Sequence, residues 1–466
     1  MKRTLAVFLV MIIAFSLASC LNEQGGVSTP ETETTVASRD TTMPVNTTVP
    51  VDTTLPADTT TTASTTEEMP PNIDVPNEPS RLNYTNVKAM WLSQYDLDEV
   101  YGGATQRNEA EFREMVGVIM ENVASIGINT VIVQVRPNGD SIYPSEIYAP
   151  SVYVVGSYGS EFDYDPFGVI VEEAHKRELS IHAWINPMRA MTEAQIELIS
   201  SKYQLKKWWS DPTLKERYLP VVSARVYLNV GEPSVRKMIV DGARELLERY
   251  ELDGLHMDDY FYPTQDASFD SLSYAELGGG ASLEDWRRSS LNSLVSELYS
   301  TVKTVDPDIL FGISPAGTME KNYTEFYADV YKWCSREGYV DYICPQIYFG
   351  FEHATQAFDM NVDKWNSIIT ADRVDLWIGM TLGKAFDGSL GVEDRYAGTE
   401  AGKTEWINNR DVLRRCLEKT FSAEKCTGAS YFCYQYFWDP ISGVEVAETR
   451  EERENLLPCL AAAKWS

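Results

Sequence analysis

The run Gly254-Leu255-His256-Met257-Asp258-Asp259 ends in two carboxylates. Glycoside hydrolysis needs two carboxyl groups, one to attack the sugar or activate water and one to protonate the leaving oxygen. In an extended strand, side chains alternate between faces, which puts His256 and Asp258 on one side and Leu255 and Met257 on the other. With the polar face in a cleft, Asp258 is the natural nucleophile. Asp259 is out of phase with it and is expected to bind substrate or orient Asp258. The plain alternatives are a buried structural carboxylate paired with an arginine for Asp258, and a helix or turn cap for Asp259.

Other apolar runs end in similar chemistry: Arg136-Pro137-Asn138-Gly139-Asp140, Asn186-Pro187-Met188-Arg189, Ser314-Pro315-Ala316-Gly317, Gln346-Ile347-Tyr348 and Tyr434-Gln435-Tyr436-Phe437-Trp438-Asp439. Aromatic rings stack on sugar faces, while amides and carboxylates hydrogen-bond hydroxyls. The substrate-binding candidates are Arg136, Asp140, His182, Asn186, Arg189, His256, Tyr260, Tyr262, Gln346 and Tyr348. The proton donor is open between Glu352 and Asp387, each of which follows an apolar run.

The elements that must position these residues alternate between short β-branched runs and longer amphipathic stretches, the pattern of βα units around a parallel sheet. Eight strands are predicted, at Val87 to Ser93, Thr130 to Arg136, Ser180 to Ile185, Gly254 to Asp258, Leu310 to Ser314, Tyr342 to Gln346, Asp375 to Met380 and Gly428 to Phe432. Helical spacing covers Glu109 to Ile126, Pro166 to Glu178, Pro233 to Tyr250 and Leu283 to Val305. Eight strands favour closure into a (β/α)8 TIM barrel, whose chemistry sits at the C-terminal strand ends. The competing doubly wound sheet would call for a GxGxxG turn after the first strand, which is lacking. An insert from Met191 to Val226 carries Trp208-Trp209 and Arg225, and reads equally as a sugar platform or a packed anchor.

Three segments follow from composition. Residues 1–19 read as a lipoprotein signal peptide: Lys2 and Arg3 precede an apolar run that ends in Leu17-Ala18-Ser19 before Cys20, the expected lipidation site. Residues 20–79 are rich in Thr, Pro, Asp and Glu and cannot bury enough surface to fold, so a disordered tether is expected. Residues 80–466 form the barrel. The implied location is the extracellular face of a bacterial cell membrane, with Cys20 as the lipid anchor. A net charge of −29 with no basic stripe argues against a nucleic-acid partner and favours an uncharged or weakly charged polysaccharide. The other cysteines (Cys334, Cys344, Cys416, Cys426, Cys433 and Cys459) lack CxxC spacing and read mostly as buried thiols, with one or two disulfides open.

The runs Asn129–Arg136, Ala174–Arg177, His182–Pro187, Tyr227–Asn229, Asp253–Pro263, Phe311–Pro315 and Pro345–Tyr348 resemble the glycoside-hydrolase-like family ten, formerly domain of unknown function 187. The resemblance implies a (β/α)8 barrel, distantly related to α-amylase-type and α-galactosidase-type enzymes, on surface lipoproteins and secreted proteins. In those enzymes the aspartate ending the fourth strand is the nucleophile, a role that falls here on Asp258. Some relatives cleave peptidoglycan glycan strands stripped of stem peptides. For such a substrate, Arg136 and Arg189 would suit the lactyl carboxylate of muramic acid, a structural salt bridge being the alternative for Arg136. The C-terminal sandwich domain of some relatives is not expected. No cofactor is called for. Two other functions compete: a metal-dependent hydrolase or deacetylase using His182, His256, Asp258 and Asp140, and a glycan-binding surface lipoprotein without catalysis.

Overall fold

The computed structural model describes residues 81–102, 107–258 and 261–465. Eight parallel strands close into a barrel in sequence order: β1 Val87–Leu92, β2 Thr130–Arg136, β3 Ser180–Ile185, β4 Gly254–Met257, β5 Leu310–Ile313, β6 Tyr342–Ile343, β7 Asp375–Thr381 and β8 Cys426–Phe432. All eight predicted strands are present, and β1 pairs with both β2 and β8. The sixth is shorter than its apolar run because Pro345 has no N–H for the ladder. Pairing resumes above it as single bridges from Gln346 to Ala316 and to Gly379.

The predicted helices surround the barrel as Glu109–Ser125, Pro166–His175, Pro233–Arg249 and Leu283–Val305. Their starts follow from local chemistry. Asn108 and Glu111 form a reciprocal capping box, Asp165 accepts from Gly168 N ahead of Pro166, and Pro233 fills a first-turn position where its missing N–H costs nothing.

The interior is filled by large rings set against glycines. A Cβ on Gly254 would lie 2.3 Å from the His182 ring, and one on Gly312 would lie 2.0 Å from the Tyr342 ring. Tyr342 also stacks on Trp377, with 3.6 Å between ring centroids. Both glycines are therefore the complement of a ring. Gly312→Ala is expected to cost about 3 kcal/mol through overpacking. Calorimetry would record this as a lower Tm, and an unchanged Tm would show that the Tyr342–Trp377 stack can shift.

The insert after β3 folds into the helices Glu193–Ile196, Gln204–Ser210 and Pro212–Tyr218, with an antiparallel ribbon of Arg189–Thr192, Arg225–Tyr227 and Val221–Val222. Trp208 and Trp209 are buried in it. Trp209 donates to Glu197 at 2.6 Å, and Trp208 meets Tyr218 edge-on. Of the two readings of this tryptophan pair, the packed anchor holds. The six cysteines between Cys334 and Cys459 are free thiols, five buried and Cys459 partly so. The expected leader, Cys20, the tether, Asp259 and Tyr260 lie outside the described residues.

Candidate active site

The register of β3 and β4 builds the cleft floor. His182 lies opposite Gly254 and Trp184 opposite His256. One pleat further up, Asn186 and Asp258 meet, and the Asn186 Nδ2 amide donates to Asp258 Oδ2. Asp258 is only 3% exposed. The Asn186 Oδ1 atom accepts from Gln134 Nε2 at 2.8 Å, and Gln134 Oε1 accepts from Gln94 N at 2.9 Å. That arrangement leaves the Asn186 amide a single orientation, with its NH2 towards Asp258, and so anchors one oxygen of the carboxyl group. The chain continues through Gln94 Oε1, Asn138 Nδ2 and Asn138 Oδ1 to Arg225 Nη1. A satisfied polar network of this kind pre-sets a side chain before substrate arrives.

Below Asp258 the two histidines share one hydroxyl. His182 Nδ1 and His256 Nδ1 lie 2.8 and 2.9 Å from Tyr342 Oη, and Trp91 Nε1 donates to His256 Nε2 at 3.5 Å. Since His256 Nε2 accepts, its proton is on Nδ1 and is given to Tyr342. The Tyr342 hydroxyl then donates to His182 Nδ1, which leaves the His182 proton on Nε2. Burial pushes His182 down to about 4 and His256 well below its ordinary value, the neighbouring His182 adding to the latter shift.

Both rings are therefore neutral in the folded protein. The stability that depends on neutral His182 is fully present above the unfolded value near 6.5 and is lost as pH falls towards about 4. Long-range 1H–15N spectra should show the Nδ1–H form for His256 and the Nε2–H form for His182, with neither ring titrating between pH 8 and 5. A midpoint near 6.5 for either would place that ring in water.

Two donors outside the substrate-binding candidates complete the floor, Ser314 being legible in the sequence only as the start of a polar strand end. Among the described residues, Trp184 Nε1 and Ser314 Oγ are buried without hydrogen-bond partners. Trp184 is in register with His256, and Ser314 N donates to Met257 O, which sets Ser314 beside Asp258. Buried polar atoms are normally satisfied, and a sugar hydroxyl in the cleft would satisfy both. Gln346 and Tyr348 are half-buried at the rim. Gln346 Nε2 donates to Ser314 O at 3.1 Å, and the Tyr348 ring lies 6.0 Å from that of Phe432. Arg189 is half-buried on the ribbon just beyond Asn186.

Several candidates are placed elsewhere. Arg136 leaves the inward phase because the register slips between Gln134 and Arg136, which lies opposite Ile185. Its guanidinium lies over the Tyr148 ring at 4.5 Å and hydrogen-bonds the Tyr148 hydroxyl, and that ring packs against Gly242 in the outer helix. Asp140 is fully buried, accepting from Asn138 N at 2.9 Å and from Tyr158 Oη at 3.3 Å, so it shapes the loop after β2. Tyr262 packs edge-on to Phe269 and Tyr327 around the buried Arg287–Asp270 ion pair. His182 and His256 fill the barrel beneath the cleft. The four residues of the metal alternative thus do not converge, and among the described residues no group of three or more His, Cys, Asp or Glu is spaced to hold a metal ion.

Of the proton-donor candidates, Glu352 is exposed and its N–H is tied to Glu405. Asp387 is half-buried on the short helix Gly383–Ser389 immediately after β7. Burial raises its carboxyl above the usual range, Asp394 adds to this, and Lys384 opposes it.

The glycosyl hydrolase-like 10 family profile matches residues 86–396. The chain is 31% identical over 331 residues to glycosyl hydrolase YngK of Bacillus subtilis, covering 66% of this chain and 62% of that protein. It is 30% identical over 382 residues to glycosyl hydrolase DigH of Escherichia coli K12, covering 78% of this chain and 82% of that one. The barrel is similar to the PgaB (BpsB) glycoside hydrolase domain of Bordetella bronchiseptica, with a TM-score of 0.51 at 12% identity over 79% of this chain and 98% of that domain. On the extent of the profile match and the identity to DigH, the chain belongs to the glycosyl hydrolase-like 10 family.

Proposed function

We infer that this protein hydrolyses the glycosidic bonds of a cell-wall or related polysaccharide, with peptidoglycan strands lacking stem peptides as the favoured substrate. The observation that carries this reading is the cleft floor: Asp258, oriented by Asn186 and Gln134, beside the Trp184 and Ser314 donors, which have no partner among the described residues. Asp258 attacks the anomeric carbon as the leaving sugar oxygen departs with a proton from an acid, and water then releases the glycosyl-enzyme. Asp387 suits the acid role better than Glu352, because its partial burial raises its carboxyl and so keeps it protonated nearer neutrality.

Asp387→Asn is expected to slow cleavage of natural strands by about 10²-fold and to leave substrates with an acidic leaving group nearly unaffected. Equal loss on both would remove it from the acid role. Lipidation at Cys20 and a tether over residues 20–79 would present the barrel to the wall from the membrane surface.

Incubation with purified peptide-free strands and with neutral polysaccharides, followed by mass spectrometry of products, tests the activity. Shortened peptide-free strands support it. Intact substrates throughout would leave a glycan-binding protein instead.

A further inference from the structure

The ribbon beside the cleft places two guanidinium groups together in a chain that is otherwise strongly acidic. Arg189 lies directly opposite Tyr227 in the antiparallel pair, and Arg225 is two residues before Tyr227 on the same strand. The alternation of a strand then sets Arg189, Tyr227 and Arg225 on one face. All three are half-buried.

Among the described residues Arg225 meets only neutral acceptors: its Nη1 donates to Asn138 Oδ1 and to Ala190 O, both at 2.9 Å. Burial, and after it the charge of Arg189, hold the Arg225 guanidinium below its ordinary value. Tyr153, Tyr158 and Tyr227 stand within electrostatic reach of these arginines. The nearby Asp140 is committed to Asn138 N and Tyr158. The Arg225 guanidinium, half withdrawn from water beside a second cation and served among the described residues only by neutral oxygens, is relieved when an anion joins it.

We propose that Arg225 and Arg189, on the Arg189–Thr192 and Arg225–Tyr227 ribbon, form a subsite for a carboxylate carried on a sugar residue of the substrate. The proposal rests on the glycan-hydrolase reading of the cleft and adds its charge specificity. Position supports it, because Arg189 follows Asn186 by three residues and Arg225 is joined to Asp258 through Asn138, Gln94, Gln134 and Asn186. A carboxylate bound there sits one element away from the nucleophile. Two sources supply this chemistry: the lactyl ether of muramic acid and the carboxyl group of a uronic acid.

Because Arg225 also supports the Asn138 loop, a loss of binding in an Arg225 variant is ambiguous by itself. A cycle of protein and ligand changes resolves this. Calorimetric titration would use the full chain carrying Asp258→Asn, with and without Arg225→Gln. Its ligands would be peptide-free oligosaccharides of N-acetylglucosamine and N-acetylmuramic acid, the same oligosaccharides with the lactyl carboxyl reduced to an alcohol, and oligogalacturonate. The subsite requires the carboxylate form to bind about 30-fold more tightly than the reduced form, and requires Arg225→Gln to erase that preference, any loss common to both forms belonging to the Asn138 loop. Preference for the muramic ligand over oligogalacturonate assigns the lactyl source, and the reverse assigns the uronate.

Equal losses on both forms, or no carboxylate preference before the Arg225 change, overturn the subsite even if the unsubstituted enzyme cleaves glycan. Conversely, a chain that cleaves nothing yet shows the full cycle would keep the subsite and discard the hydrolase.

Discussion

Asp258→Asn is expected to reduce glycan cleavage by at least about 10⁴-fold, with binding largely retained, because removal of a nucleophile leaves only the contributions of positioning and polar stabilisation. The side chains are nearly isosteric, and Asp258 packs at 3% exposure with the Asn186 amide against one oxygen. The variant therefore keeps its volume while its amide NH2 faces another amide NH2, or must flip to avoid it.

A shorter replacement separates nucleophile from acid. In Asp258→Gly, added azide fills the vacated space and attacks the anomeric carbon, forming a glycosyl azide as the leaving sugar takes its proton from the acid. Recovery of that product by mass spectrometry assigns the nucleophilic role to Asp258. A variant that hydrolyses at more than about a tenth of the parent rate would move the chemistry to another carboxylate.

Asn186→Asp is expected to lower the rate at neutral pH by about 10³-fold, the upper range for loss of a pre-set hydrogen-bond donor. It replaces the NH2 that meets Asp258 with a second carboxylate. Two carboxylates in contact cannot both ionise cheaply, so they titrate as a pair and one proton is held to higher pH. A nucleophile must be ionised, so activity should return as pH rises and the acid limb of kcat/KM should shift upward. Asn186→Ala removes the donor without adding charge, and should lower the rate with no such upward shift. Parallel profiles for the two variants would show that Asn186 matters through packing alone.

Much of the architecture could be read from residue order. The strands Thr130–Arg136 and Ser180–Ile185 and the helix Leu283–Val305 keep their expected bounds, because periods of two and 3.6 are written locally by which side chains must be buried. Asp258 and Asn186 were also legible, since a carboxylate and an amide ending apolar strands of a barrel come to the same rim. Gln134 could have been recognised as the lone amide within an apolar strand, a residue that needs a partner once buried. Trp184 gave no comparable signal and Ser314 only that of a polar strand end, because an indole N–H or a hydroxyl becomes significant only when its surroundings leave it unsatisfied.

The sequence by itself determined the fold class, the family and the strand whose end carries the candidate nucleophile, because these depend on periodicity and on short ordered motifs. Tertiary structure decided which polar residues belong to the cleft. A one-residue slip in β2 sends Arg136 outward, and the depth of the barrel makes His182 and His256 neutral filling around Tyr342. An antiparallel ribbon brings Arg189 to Arg225, which lies 36 positions away in the chain. Register, depth and chain reversal are set by packing between elements distant in sequence, so no local pattern encodes them.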